Sequence, residues 1–443
     1  ELAVRLPACL AGTASVGIAF LLARSLWGNT GGLWAGLFVC LSPWSLLLSR
    51  WANQSILLTV SVPLGVYFFI CEKERIFPSI RFAILSGLCF LLAIYTYEPA
   101  QLFVPVFVVL LWCVSLSRPA LSQEKRKWFL VSMMVFFVVF ALGCIPMILH
   151  LINQPAESSA RFSRITIFDG QPLASALLEW GRNYILHFSP WFLFLRGDEN
   201  LRHSTALLGQ LHLYLLPLLI MGGIQAMKRR TRIDRILLIW LFCFPIAAAC
   251  TRERVPHALR SIFGVPAFQM LAVYGLVSWR EWRERLQTWF SGGVIRLGQL
   301  TWLVMLILCP IVYLSDLFFR YPNYAAVEWE YGYREAIDWW KTHRAEADLT
   351  VVSGMAEYPY VFFLFYDRYP PDRWINDQRI ENVEFVPTGK ATQSVLPPEQ
   401  GRVLYLLRQD EIPMAMSEKQ IQIPTGEAIW KWVAWGTRQG EKP

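Results

Sequence analysis

WFLVSMMVFFVVFALGCIPMILH, Trp128–His150, decides the fold class. Trp128 through Leu149 holds no Asp, Glu, Lys or Arg, and about 20 such residues cross a bilayer as one helix. Outward from it, similar runs recur at roughly 7–26, 31–49, 54–71, 82–97, 99–116, 128–152, 206–227, 233–250, 258–279 and 297–319. The expectation is an α-helical polytopic membrane protein with about ten transmembrane helices. Several runs carry proline (Pro43, Pro63, Pro146, Pro217, Pro245, Pro266, Pro310), which a membrane tolerates where neighbouring helices satisfy the freed carbonyls. A large water-soluble helical core is the alternative. The recurrence of long runs between short polar connections argues against it.

Composition agrees. Of 443 residues, 55% are hydrophobic and 17% charged, below the roughly 25% charged of soluble domains. This excludes disordered and fibrous classes and argues against an ordinary soluble enzyme. Residues 1–320 carry 28 Lys and Arg against 15 Asp and Glu, whereas 321–443 carry 13 against 18. The basic excess therefore belongs to the apolar part, where it points to membrane topology, and no nucleic-acid partner is expected. It gathers in alternate connections: Glu72–Arg81 (EKERIFPSIR), Arg118–Lys127 (RPALSQEKRK), Lys228–Arg235 (KRRTRIDR) and Arg280–Arg296. By the positive-inside bias these are cytoplasmic. Arg50–Asn53, Thr96–Pro99, a long loop 153–205, Thr251–His257 and everything after Arg320 then lie outside. The nine cysteines, all before residue 320, show no CxxC or metal-ligand spacing and read as core residues. Glu1 directly precedes an apolar run, so the chain reads as a fragment lacking its natural N-terminus.

Two domains are expected: a membrane domain over 1–320 and a small extracytoplasmic α/β domain over 321–443. In the latter, Tyr333–Arg344 reads as an amphipathic helix, Leu349–Ser353 and Val403–Leu407 as strands, Tyr360–Tyr366 as a short helix and Ala428–Trp435 as an amphipathic segment.

Polar residues at membrane depth are costly and tend to be functional. On the outer side Glu98, in YTYEPA, is a candidate proton acceptor, its pKa raised by low-dielectric walls. Alternatively it only complements the helix begun by Pro99. In FSPWFLFLRGDENLRHS, Arg202 and His203 are candidates to hold a phosphate with Asp198 orienting them; a solvated turn is the other reading. No cofactor is firmly expected. A divalent metal on His187, His203 and Asp198 is conceivable, though no tight spacing enforces it. His257 and Arg260, in TRERVPHALRSIFGVP, and Arg50, in LLLSRWANQS, can grip a lipid phosphate at the membrane boundary or merely snorkel. His150 and His212 read as core histidines. No Walker loop or dinucleotide fingerprint is present.

ELAVRLPACLAG (1–12), LSPWSLLLSRWANQSILL (41–58), FLFLRGDENLRHS (192–204), PHALRSIFGVPAFQMLAVYGL (256–276) and YGYREAIDWW (331–340), in this order, resemble the C-type integral membrane glycosyltransferases. The similar members are the bacterial protein mannosyltransferase-like and aminoarabinose transferase-like enzymes. The resemblance implies transfer of a sugar from a polyprenyl-phosphate donor to an extracytoplasmic acceptor (protein, lipid or glycan) at the bacterial inner membrane. It implies an outer-loop carboxylate as base and cationic stabilisation of the departing phosphate. It also implies that the principal acidic residue lies in a first outer loop preceding Glu1. Arg260 and His257 fall inside a matched motif; Glu98 stands where relatives often place a polar residue, in a YEP context that differs from the lysine-glycine pattern of the aminoarabinose enzymes. Two other classes stay open: a transporter or flippase capturing an anionic lipid headgroup, and a membrane scaffold whose tail binds partners.

Overall fold

A computed structural model describes residues 2–74, 80–116, 123–155, 163, 165–354, 358–387, 402–408, 411 and 418–435. Parts of the basic connections 72–81 and 118–127, and of the segment 153–205, lie outside the described residues. The chain forms two compact units, Glu1–Asp316 and Leu317–Pro443.

The first unit is helical. Among the described residues four stretches are long and apolar enough to cross a membrane: Leu2–Cys40, Gln54–Cys71, Arg126–Asn153 and Gly292–Tyr324, the last continuing past the unit boundary. Ile80–Thr96, Ala100–Leu116 and Gly264–Val277 are shorter apolar helices. Leu2–Cys40 is broken at Trp27 and Gly28, where φ is −133° and +73°. Beyond the break the chain turns back, so that Gly32 and Gly36 face Phe20 and Val16. The expected run 31–49 is interrupted again at Ser42: Pro43, lacking an N–H, opens a separate helix, Pro43–Arg50. The run 233–250 becomes Arg232–Cys243 and Ile246–Ala249 on either side of Pro245. Thr231 and Asp234 close a capping box at the start of Arg232–Cys243.

Lipid, not water, suits the outer surface of this unit. Only 6% of the apolar window of Arg126–Asn153 is buried in the protein. A helix this apolar, with most of its surface exposed and only Phe129, Ser132 and Phe136 buried, needs a hydrocarbon solvent. Helices in that solvent gain little from burying apolar surface and associate by close packing at small residues. Gly222 of Leu215–Arg229 and Gly275 of Gly264–Val277 show this. A Cβ on Gly222 would strike the Leu271 carbonyl oxygen, and one on Gly275 the Leu218 carbonyl oxygen.

The segment 153–205 is more ordered than the loop expected from sequence. It contains a helix, Leu173–Leu186, and a π-helical turn, Trp191–Leu195. Its alternation of Leu177, Leu178 and Ile185 with polar residues is amphipathic rather than uniformly apolar, so a search for membrane-length runs passes over it. The segment is tied to residues 246–252: Thr166 bridges to Thr251, and Asn183 Nδ2 donates to the Ala249 and Thr251 carbonyls at 3.3 and 3.2 Å.

The second unit is an α/β domain. Its sheet has the order β2-β1-β3-β5-β4, formed by β1 (Leu349–Gly354), β2 (Val383–Pro387), β3 (Val403–Arg408), β4 (Lys419–Gln422) and β5 (Ala428–Trp435). β1 runs parallel to β2 and β3, whereas β5 is antiparallel to β3 and β4. The amphipathic segment expected over 428–435 is the strand β5. Trp430 and Trp432 point to one face and Val433 to the other, a period of two. Trp432 packs beneath the helix Tyr333–His343, its Nε1 donating to the Ala336 carbonyl at 3.1 Å.

Gly275→Val should lower the thermal midpoint in detergent, costing about 3 kcal/mol, since overpacking against a backbone carbonyl has no side chain to yield. An unchanged midpoint would show that these two helices do not touch there.

Candidate functional site

The turns on either side of two membrane helices build one buried cluster. Asp198, His203, His257 and Arg260 are 1%, 4%, 7% and 8% exposed, so every polar atom among them needs a partner. Asp198 follows Gly197, whose φ of +79° turns the chain out of the π-helical Trp191–Leu195. A Cβ there would collide with Ser204 Oγ. Asp198 Oδ1 then accepts the Asn200 N–H at 2.8 Å. Oδ2 accepts His203 Nδ1 at 2.9 Å and, from sixty residues away, the Ala258 N–H at 2.7 Å. His257 Nδ1 stands 3.9 Å from the same oxygen.

The imidazoles are held in defined roles. His187 Nδ1 faces the Asn183 carbonyl at 2.8 Å, and its Nε2 accepts the His257 N–H at 3.1 Å. Those partners assign the proton to Nδ1 and fix a neutral ring. Burial pushes the His187 pKa down to about 4, against smaller upward pulls from the Asn183 hydrogen bond and Asp198. His257 is also held well below the ordinary imidazole value, first by burial and then by the positive charge of Arg260. Its Nδ1 accepts the Arg260 N–H at 3.4 Å, which assigns its proton to Nε2. His203, oriented by Asp198, packs against His257 with the rings tilted and their centroids 4.7 Å apart, and against Trp51 at 5.6 Å. Arg260 donates to Thr251 Oγ1 and to Glu253 Oε2, both at 2.8 Å. The Glu253 side chain is 59% exposed, the Arg260 side chain 9%.

The sequence candidates divide. Asp198, His203, His257 and Arg260 come together. Arg260 sits in turns ahead of Gly264–Val277 and not, as the run 258–279 suggested, in the helix itself. Arg202 belongs to the same turn through its N–H to Asn200 Oδ1 at 3.0 Å, and is half-buried. Arg50 is exposed; its neighbour Trp51 supplies the ring against His203. Glu98 is exposed rather than walled in. It lines a different pocket of about 410 Å³ with Gln54, Tyr95, Tyr97, Gln101 and His150. His150 is exposed there and is not a core histidine, whereas His212 Nε2 lies 2.8 Å from the Leu41 carbonyl inside the bundle. Thr251, Glu253 and Trp51 escaped sequence reasoning; nothing local marks them.

Asp198, His203 and His257 present ligand atoms within 4.8 Å of one another, a set that suits a divalent cation. His187, considered for that role from sequence, is excluded because both ring nitrogens serve the backbone.

Residues 1–144 match the family described as dolichyl-phosphate-mannose-protein mannosyltransferase, about a third of the chain. Among solved structures, ArnT from Cupriavidus metallidurans in the apo state is similar over 97% of this chain and 83% of its own, with 14% identity and a TM-score of 0.50. The same protein bound to undecaprenyl phosphate matches at 13% identity and 0.52, with equal coverage. The archaeal oligosaccharyltransferase AglB from Archaeoglobus fulgidus, in complex with an inhibitory peptide and a dolichol-phosphate, matches over 82% of this chain and 52% of its own, at 12% identity and 0.48. No curated protein matches the sequence. The class defined is therefore a polytopic membrane protein with a small sheet domain. Within it, the chain has the fold of ArnT, the fold implied by the resemblance to C-type glycosyltransferases.

Because His187 titrates near 4 when folded and near 6.5 when unfolded, the unfolded chain binds the extra proton first. Its contribution should be complete above pH 6.5 and fall away between 6.5 and 4. The expected thermal midpoint declines across that window, and His187→Gln flattens the decline. An equally steep decline in the variant would assign the acid sensitivity elsewhere.

Proposed function

We propose that the chain is an integral membrane glycosyltransferase that takes a sugar from a polyprenyl-phosphate donor and delivers it to an acceptor on the extracytoplasmic side. The observation that carries this reading is the convergence of Asp198, His203, His257 and Arg260 in one buried cluster within an ArnT-like fold. The Lys- and Arg-rich alternate connections support an outward orientation of that cluster and of the sheet domain.

In the proposed reaction the acceptor oxygen attacks the anomeric carbon, the bond from that carbon to the phosphate oxygen breaks, and its electrons go to the phosphate. Catalysis then rests on donors already aimed at the developing charge. Arg260 is the principal one. Its partner Glu253 is largely in solvent and can yield the guanidinium to a phosphate, which binds it in the same fork geometry. The neutral His257 offers Nε2–H as a second donor. Asp198 acts through His203 by fixing its ring. A divalent cation on Asp198, His203 and His257, where bound, would supply charge neutralisation in place of the His257 donor.

Glu98 is the proposed base. Its pocket combines a carboxylate, two amides and two tyrosines, groups that suit hydroxyl-bearing ligands. Gln54 on its wall is three residues beyond Trp51, which packs against His203.

In membranes containing the protein, with undecaprenyl-phosphate sugars as donors, Arg260→Ala should raise the donor KM roughly 10- to 100-fold, with Arg260→Lys intermediate. An unchanged KM removes Arg260 from the site, and movement of the donor between leaflets with no sugar transferred would identify a flippase. Glu98→Gln should lower kcat about 100-fold or more while leaving the donor KM in place. Full activity at every pH would leave Glu98 a helix-end residue.

A further inference from the structure

A second cavity, about 650 Å³, opens between the helices Leu215–Arg229, Gly264–Val277, Trp279–Leu286 and Gly292–Ser315. That is within the range of about 300–1,000 Å³ typical of ligand sites. Met221, Trp279, Trp282, Phe290, Gly298 and Trp302 are among its walls, which are almost wholly apolar. It is not part of the Asp198 cluster. Arg260 precedes the helix Gly264–Val277 and Trp279 follows it, so its 14 residues set the two sites about 20 Å apart.

The mouth of this cavity is cationic. Trp279–Leu286, WREWRERL, is an amphipathic helix whose tryptophans line the cavity while Arg280, Arg283 and Arg285 are exposed. Leu215–Arg229 ends beside it: Gln225 Nε2 donates to Glu281 Oε2 at 2.7 Å, and Arg229 pairs with Glu281. That junction brings Lys228, Arg229 and Arg230 to the same rim. Six cations thus surround two carboxylates, Glu281 and Glu284. Among the described residues Lys228, Arg230 and Arg283 have no carboxylate partner. Arg285 lies over the Trp282 ring at 5.5 Å, extending the positive edge onto the aromatic wall.

An apolar chamber under a basic, tryptophan-bearing helix has the chemistry of a membrane interface. Basic pockets between helices on the cytoplasmic side take anionic lipid headgroups. We propose that this cavity is a specific site for an anionic glycerophospholipid, its acyl chains between Trp282 and Trp302 and its phosphate among Arg283, Arg285 and Lys228. Charge complementarity selects an anionic over a zwitterionic lipid. The position, a helix length from the Arg260 cluster on the side of the basic connections, selects a bulk phospholipid over the glycosyl donor.

Gly298 supplies a clean test. It lines the cavity, and a Cβ there meets no atom within 4 Å, so the side chain of Gly298→Leu starts from open space and takes up room in the chamber. The full chain, purified in detergent and stripped of lipid, is titrated with phosphatidylglycerol and with phosphatidylcholine of the same acyl chains and followed by native mass spectrometry. The expected result is one phosphatidylglycerol held about tenfold more tightly than phosphatidylcholine. Arg283→Gln with Arg285→Gln should weaken phosphatidylglycerol roughly fivefold per arginine and leave phosphatidylcholine unchanged. Gly298→Leu should abolish retention of both. Equal retention of the two lipids by the native chain, or undiminished phosphatidylglycerol binding in the arginine variant, overturns the proposal. Displacement of the bound phospholipid by equimolar undecaprenyl phosphate overturns it too, by naming another occupant. The arginine pair is exposed and decides the matter even if Gly298→Leu fails to fold.

Discussion

A carboxylate sealed from water must be met by donors, or its burial costs several kcal/mol. Asp198 is met from two directions at once. Its own turn supplies Asn200 N–H and His203 Nδ1, and a segment sixty residues further on supplies Ala258 N–H. The carboxylate therefore serves as a joint between two stretches that the bilayer-crossing helices would otherwise leave independent. Its geometry propagates: His257 is placed because its neighbour's N–H is fixed, and His187 completes the clamp from the far side by accepting the His257 N–H. Arg260, three residues on, inherits that position. Without the joint, the imidazoles and the guanidinium would be ordinary polar groups at helix ends.

This explains what could be read from the chain and what could not. Trp128–Leu149 declares a membrane helix because composition alone fixes the outcome in hydrocarbon. Within FLFLRGDENLRHS, the Asp198–His203 pairing is local, five residues apart, and its residue types announce it. The bond to Ala258 is a backbone contact and carries no side-chain signature. For the same reason Thr251 and Glu253 went unnoticed: they matter only because the chain returns to them. The surroundings of Glu98 were misjudged for a different cause. The expectation of low-dielectric walls came from its apolar neighbours in sequence, but the turn before Ala100–Leu116 faces outward. The alternation in AIWKWVAW was legible as amphipathic, but the strand it forms is settled by pairing with β3 and β4, which the segment alone does not announce.

The two units solve the packing problem in different solvents. In the helical unit, apolar side chains are plentiful on the outside, and contact is won where Gly222 and Gly275 let carbonyls approach. In the sheet unit, large rings are drawn inside. Trp340 donates to Thr350 Oγ1 at 2.9 Å and Trp432 to the Ala336 carbonyl, so that each indole buries its area and satisfies its one polar atom. Tryptophan serves both units, but as a cavity wall in WREWRERL and as a core filler in β5.

The pairing of Arg260 with Glu253 has a consequence for ionic strength. When an incoming anion takes the guanidinium, it replaces a negative charge already there, so little net charge is gained by the cleft. Association driven by such a swap is far less sensitive to added salt than capture by an unpaired cation. The displaced carboxylate, left in water close by, is also poised to reclaim the guanidinium, which in the proposed reaction would give the phosphate product a route out.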